Sequence, residues 1–377
     1  MSRPDDSHAS PRPSPAPAPG EPLPEPPLTC AVVVVNWNGA EVLPACLDSL
    51  DRVLPAEVTV VLVDNGSTDG SVEQAERDHP EVLVVRRGVN DGFAAGVNAG
   101  IRATDADLVL LINNDAVAQP GWHAALAAPF RGPSGHDVGA VTGRVLLDGW
   151  FVPATPPRQD ADLVDGASHA WRRAPGGEAV PGATRRLNST GNEVTRTGNG
   201  RDRDWLAPGD GPPAPPDVFG LNGGCAALRR SALADAGLLE ESLFLYYEDT
   251  ELSWRLRRRG WRVVHAHDAV TVHRHAASSG VRSEVFVVHN VSNRLRVAVR
   301  HAPATVVGRA WLRTTVRLAA GPGRAWQWRG LRTAVTRLPE DLRARRQVDR
   351  TARVPRQVVA DLLVDDRTRG HGTGAGT

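Results

Sequence analysis

The chain has 377 residues, 41% of them hydrophobic, with a formal charge of +1 at pH 7. That length suits one large catalytic domain with appendages, or a few smaller domains, and the near-zero charge gives no case for nucleic acid as a whole-chain partner. Cys30, Cys46 and Cys225 are widely spaced and match no zinc or redox pattern, so a reduced, cytosolic compartment is expected.

Residues 1–28 are dominated by Pro, Ala, Ser and acids, as in "PRPSPAPAPGEPLPEPP". Such a segment cannot bury a core, and a disordered or polyproline-like tail is expected. It lacks the apolar centre of a signal peptide. No later stretch holds the roughly 20 uninterrupted apolar residues of a spanning helix, which predicts a soluble or peripheral protein.

From Ala31 short β-branched runs alternate with helical stretches. "AVVVV", "VTVVLV", "VLVVR" and "LVLLI" read as buried strands, separated by "AEVLPACLDSLDRV", "SVEQAERDHP" and "GFAAGVNAGIRAT". This rhythm predicts an α/β fold, a mostly parallel sheet with helices on its faces. In such sheets ligands bind beyond the carboxyl ends of the strands. There the sequence places "NWNG", "DNGSTDG", "GVNDG" and "NNDA". Asp148 to Asp217 has little periodicity, and long loops with a hairpin around "NSTGNEVTRTGNG" are expected. A helix is predicted over Ser231–Ala236, closed by Gly237, and another from about Thr250 to Arg259 with Glu251 and Arg255 as an i,i+4 pair. "RVVHAHDAVTVHRH" reads as two short strands. Arg294 to Pro339 holds ten arginines and no acid. With Arg309, Arg313 and Arg317 on one face and Val307, Trp311 and Leu318 on another, it predicts a basic amphipathic helix suited to an anionic membrane. The expected units are a tail (1–28), a catalytic domain (29–293), a basic helical, membrane-associating segment (294–364) and a disordered tail (365–377).

Each chemical candidate has a plainer alternative. Asp64, at a strand end, can accept a hydrogen bond from a pyrimidine imide or a ribose hydroxyl, or it can serve an Asx turn, with Ser71 and Gln74 forming a capping box. Asp115 can hold a divalent cation against a nucleoside diphosphate, or be a turn residue. Glu248 and Asp249 can supply a general base, or Asp249 can cap the following helix. The histidines read individually as structural, with His273 the one to consider as a metal ligand.

Taken together, "VVVVNWNG", "VDNGSTDGS", "NDGFAAGVNAGI", "LLINNDA", "GGCAALRRSALADAGLLEESLFLYYEDTELSWRLRRRGW" and "VTVHRH" resemble family 2 glycosyltransferases of the GT-A fold. They are most similar to the rhamnosyltransferase-like branch acting on bacterial cell-surface glycans. The resemblance implies a Rossmann-like nucleotide-sugar domain, with Asp64, Asn36 and Asn38 at the nucleoside and Asn90, Gly92, Asn98 and Asn114 in the donor region. It implies Asp115 and His273 at a Mg²⁺ or Mn²⁺ ion, with Asn113 where the family's other metal-binding Asp stands. It further implies Asp249 as the base with Glu248 beside it, and Asn222, Gly223 and Gly224 towards the acceptor. The activity implied is inverting, single-sugar transfer, with rhamnose from its dTDP form as a candidate donor. The acceptor would be a lipid-linked or growing glycan at the cytoplasmic face of the membrane. Absence of a Q-x-x-R-W motif after "YYEDTELSWR" argues against processive synthesis. Two other readings stand: a nucleotidyltransferase, against which no Gly-rich, Lys-containing loop follows the first strand, and an inactive membrane-bound scaffold.

Overall fold

The computed structural model describes residues 28–154, 161–164, 169–274, 283–320 and 324–366. Apart from Leu28, Asp365 and Asp366, both expected tails lie outside the described residues.

The first half alternates as its hydrophobic pattern demands: β1 (Cys30–Asn36), α1 (Leu43–Val53), β2 (Thr59–Asp64), α2 (Ser71–Asp78), β3 (Leu83–Arg86), α3 (Phe93–Arg102), β4 (Leu108–Asn113), β5 (Ala116–Ala118), α4 (Trp122–Ala127) and β6 (Val138–Leu147). Short strands follow: β7 (Phe151–Pro153), β8 (Leu163–Val164), β9 (Ala170–Arg173), β10 (Leu187–Ser189), β11 (Asn192–Val194) and β12 (Gly200–Asp202). Then come β13 (Cys225–Arg229), α5 (Arg230–Ala236), α6 (Glu248–Arg258), β14 (Arg262–His273), α7 (Glu284–His301), α8 (Ala304–Ala320), α9 (Arg324–Thr351) and α10 (Arg356–Ala360).

The main sheet runs β3-β2-β1-β4-β13-β6-β14-β5, with β10 beside β6. β3, β2, β1 and β4 are mutually parallel, as are β6 and β14. β13 is antiparallel between β4 and β6, and β5 and β10 are antiparallel at the margins. The first strands are continuously apolar because both faces are covered. Leu43, Leu47, Leu50, Trp122 and Leu126 pack on one face, and Val97, Ile101, Leu233, Leu252 and Leu256 on the other. α3 approaches closely because a Cβ at Gly96 or Gly100 would collide with Val35 or Val33.

Several local expectations change. "RVVHAHDAVTVH" is one strand, β14, whose register shifts between His265 and Val270. α2 has Gly70 rather than Ser71 at its N-cap, so no Ser71–Gln74 capping box forms. Instead the Ser71 hydroxyl donates to Asp69 Oδ1 (2.6 Å). α6 begins at Glu248, with Tyr247 as its N-cap residue, so Asp249 stands inside the first turn and is not the cap. The Glu251–Arg255 pair forms at 2.7 Å, and His301 Nε2 joins it at 2.9 Å from Glu251.

The arginine-rich segment differs most from its expectation. The boundary placed at residue 294 falls within α7, whose Leu295 shares a buried cluster with Phe219, Leu243, Trp254, Val306 and Leu331. Arg294, Arg296 and Arg300 are themselves buried. Asp341 accepts from Arg296 and Arg300, which also reach Glu340 and Glu240. Arg313 pairs with Asp366, Arg329 with Glu284 and Arg337 with Glu340. Burying an ion costs several kcal/mol unless a partner is supplied, and here acids from outside the run supply it. The start of the segment is therefore packed into the catalytic unit, while Arg309, Arg317, Arg324, Arg329, Arg332 and Arg337 stay exposed. No helix among the described residues is long and apolar enough to cross a membrane.

Candidate active site

Register brings the polar strand ends into line. Asn36 lies opposite Asp64, Asp64 opposite Arg86, and Val35 opposite Asn113. β13 runs the other way, so the Asn222–Gly224 turn before it reaches the same edge, where Asn113 N–H donates to Gly224 O (3.4 Å). β14 ends there too. Its His273 pairs with Ala116 in β5, the residue after Asp115.

The side chains at this edge divide into braces and open groups. Asn36 is fully buried: its amide donates to Ser67 and Ser71 and accepts from Asn114 Nδ2 (2.8 Å). Asn98 is likewise buried, and it locks α3 to Leu239 and Glu241. These two Asn side chains shape the site from within, and Asn114 is tied to the first. Asn90 Oδ1 accepts from Gly92 N–H (3.0 Å). Gly92 has φ 93°, and a Cβ there would strike the Phe244 carbonyl, so only glycine fits. Asp64 Oδ1 accepts from Ser67 N–H (2.8 Å), three residues on, so the side chain braces the turn after β2 without forming an Asx turn. Asn38 is exposed at φ 51° and accepts from Thr68 N–H. Beside it stands Trp37, 47% exposed.

Asp115 and His273 meet. His273 Nε2 lies 3.0 Å from Asp115 Oδ1, yet that buried oxygen has no hydrogen-bond partner. On its other side His273 Nδ1 is 2.8 Å from Asn188 Oδ1. A buried carboxylate oxygen that touches an imidazole nitrogen without a hydrogen bond fits a divalent cation completed by diphosphate oxygens, with the Asn188 carbonyl orienting the ring. Among the described residues, one trio of His and acids gathers its ligand atoms closely, Asp51, His79 and Glu81. Asp51 lies in the last turn of α1, and His79 and Glu81 follow the end of α2, at the opposite edge of the sheet.

The acidic pair starts α6 after a strained approach: Phe244, Tyr246 and Tyr247 all have positive φ (63°, 67° and 73°). Asn293 of α7 holds this segment, donating to the carbonyls of Leu243, Leu245 and Tyr246. Asp249 accepts from Gly223 N–H (3.3 Å), Thr250 N–H (2.5 Å) and the Asn192 amide. Glu248 is buried with Oε2 unpartnered. Burial, with the adjacent Asp249 charge, pushes the Glu248 carboxyl up to about 8. Burial also raises Asp249, but its donors favour the charged form.

Sequence reasoning missed a third acid. Asp202, at the end of β12, accepts from Asn222 Nδ2 (2.9 Å), and burial pushes it up to about 6. It also missed Trp37, Asn188, Asn192 and Asn293. The one signal was "LNSTGN", whose Leu187–Ser189 run and Asn192 are buried although most are polar.

The family model described as Glycosyl transferase family 2 matches residues 31–165. An N-acetylglucosaminyl-diphospho-decaprenol L-rhamnosyltransferase of Mycobacterium tuberculosis is 31% identical over 289 residues, covering 72% of this chain and 84% of that protein. The chain belongs to glycosyltransferase family 2. Within that family it is a glycosyltransferase of the rhamnosyltransferase-like branch. A PGL/p-HBAD biosynthesis glycosyltransferase of Mycobacterium bovis is 34% identical over 102 residues, 26% of this chain and 40% of that one. In fold, this family 2 chain is similar to a crystal structure of GalNAc-T7 with UDP, GalNAc and Mn²⁺. The TM-score is 0.55 and the identity 14%, over 85% of this chain and 57% of the other. The mixed, mostly parallel sheet with its helical C-terminal segment is thus of the GT-A type.

Proposed function

We propose that this glycosyltransferase moves one sugar per encounter, with inversion, from a nucleoside-diphosphate donor to a lipid-linked or growing cell-envelope glycan. Rhamnose from dTDP-rhamnose is the donor to test first, and a GlcNAc-diphospho-lipid the acceptor, by analogy with the Mycobacterium tuberculosis relative. The observation that carries the reading is the acidic pair. Asp249 is braced by Gly223 N–H of the Asn222–Gly224 turn and by Thr250 N–H, while burial raises the Glu248 carboxyl and leaves its Oε2 unpartnered.

In this reading the acceptor hydroxyl lies on the 222–224 turn and loses its proton to Asp249 as its oxygen bonds to the anomeric carbon. The bond from that carbon to the diphosphate oxygen breaks on the opposite face, and the nucleoside diphosphate leaves. Asp115 and His273 would hold Mg²⁺ or Mn²⁺, which supplies charge neutralisation for the leaving diphosphate. Trp37 offers a face on which a base can stack, and Asp64 and Asn38 flank it at the ends of the first two strands.

The acceptor would be met at the cytoplasmic face of the membrane. The exposed line Arg309, Leu312 and Val316 on α8, with Trp328, Arg332 and Val335 on α9, would touch anionic lipid. Because the buried arginines cannot contribute, binding should be weaker than ten free arginines would give at about 1 kcal/mol each. Equal sedimentation of intact protein and Trp328→Ala/Arg332→Ala with anionic vesicles would exclude this surface.

The test of function is incubation with dTDP-rhamnose, a short-chain GlcNAc-diphospho-prenol and Mn²⁺, followed by NMR of the product anomer. Inversion is expected. A retained configuration would overturn the mechanism, and transfer only from other nucleotide sugars would overturn the donor.

A further inference from the structure

The β11–β12 hairpin lies in the stretch with least sequence periodicity, yet it reaches the centre of the site. Asn192 and Asp202 are directly opposite one another across its ladder. From one strand the Asn192 amide bonds Asp249. From the other, Asp202 Oδ1 accepts from Asn222 Nδ2 at 2.9 Å. Between them lies the turn itself: Asn222 Oδ1 accepts from Gly224 N–H (2.9 Å), and Gly223 N–H donates to Asp249 Oδ2 (3.3 Å). The bonds close a ring, Asn192 to Asp249 to the 222–224 turn to Asp202 and back across the hairpin.

We propose that Asp202 is a positioning residue of this glycosyltransferase: by gripping Asn222 it fixes the glycine turn at the place where Gly223 orients the Asp249 carboxylate. The inference rests on the reading of Asp249 as the base and names a residue that acts through it.

The ring explains why a carboxylate stands at a site that costs it solvation. A glycine turn has little stiffness of its own. Asn222 N–H is already taken by Thr142 Oγ1 (3.1 Å), so one edge of the turn is fixed to β6 and the side-chain amide is left to fix the other. A charged acceptor makes that bond about twice as strong as a neutral one. Without it, Gly223 and Asp249 would share a looser geometry. A misplacement of about 1 Å costs on the order of a hundredfold in rate.

The experiment uses the intact chain and a hydrogen-bond swap. Asp202→Ala removes the grip. Asn222→Asp breaks it from the other side, because two carboxylates face each other, while still accepting from Gly224 N–H. Asp202→Asn/Asn222→Asp rebuilds the bond with donor and acceptor exchanged. Two readouts are taken: hydrogen exchange of the peptide spanning 220–226 without ligand, and transfer from dTDP-rhamnose to the GlcNAc-diphospho-prenol. The single variants should exchange faster in that peptide and lose about a hundredfold in kcat with donor KM unchanged, and the double variant should recover most of both. If the double variant is no better than Asn222→Asp alone, or if Asp202→Ala keeps wild-type kcat, the proposal falls. Asp249→Asn, run alongside, separates the two readings. Were that variant active, the base assignment would fail, while the exchange data would still decide whether Asp202 holds the turn.

Discussion

Asn293→Ala perturbs the link between the C-terminal helices and the acidic pair. The Asn293 amide lies 2.8 Å from Leu243 O and 2.9 Å from both Leu245 O and Tyr246 O. One amide has only two hydrogens, so these contacts amount to two full bonds at most. Leaving a buried carbonyl unpaired costs about 1–3 kcal/mol, giving roughly 2–6 kcal/mol for the set. Release of backbone strain offsets part of this. Phe244, Tyr246 and Tyr247 hold positive φ values that cost about 1–2 kcal/mol each and persist only while the carbonyls are held. Once released, the segment relaxes and the start of α6 moves with it. Thermal unfolding should fall by about 3–8 °C, and turnover by about ten- to a hundredfold. Nucleotide affinity should be preserved, because the ends of β1, β2 and β4 do not lean on Asn293. Asn293→Asp should be worse than Ala, since it keeps the shape but sets a carboxylate against three carbonyls. If Asn293→Ala melts within about 2 °C of wild type and turns over within about threefold of it, the bracing account is wrong.

Three further outcomes follow from particular contacts. Glu248 carries a raised pKa, so the folded state holds a proton that the unfolded chain loses above about pH 4.5. Its contribution to stability is complete at low pH and is lost as pH rises towards about 8. The melting temperature of Glu248→Gln relative to wild type should therefore climb between pH 5 and pH 8, and a difference independent of pH would refute the buried neutral acid. Asp115→Asn should leave the fold intact but abolish the Mn²⁺-dependent part of nucleotide affinity in calorimetry; unchanged metal dependence would remove Asp115 from the site. Asp341→Asn strips Arg296 and Arg300 of their shared buried anion and should cost about 3–5 kcal/mol in urea unfolding.

The edge of strands β1 to β4 was legible because apolar runs end abruptly in Asn and Asp, which mark both strand length and the side of the sheet where the polar groups gather. Asp115, His273, Asp249 and the 222–224 turn do converge there. Three features were hidden for physical reasons. The strands of the hairpin that carries Asp202 are three residues each, too short to show a period. Aromatic residues give no sign of positive φ, so the strain before α6 could not be read from "LFLYYED". The burial of Arg296 and Arg300 depends on Asp341, more than forty positions away, so the run of arginines looked more exposed than it is.

The most direct measurement is transfer by Asp249→Asn. The replacement keeps the size of the side chain and still accepts from Gly223 N–H, but it cannot take a proton at neutral pH. Fold and nucleotide-sugar affinity should be those of the wild type, and transfer should fall by about a hundred- to ten-thousandfold. Near-normal transfer by Asp249→Asn, above all with transfer lost in Glu248→Gln, would contradict the assignment of the base to Asp249.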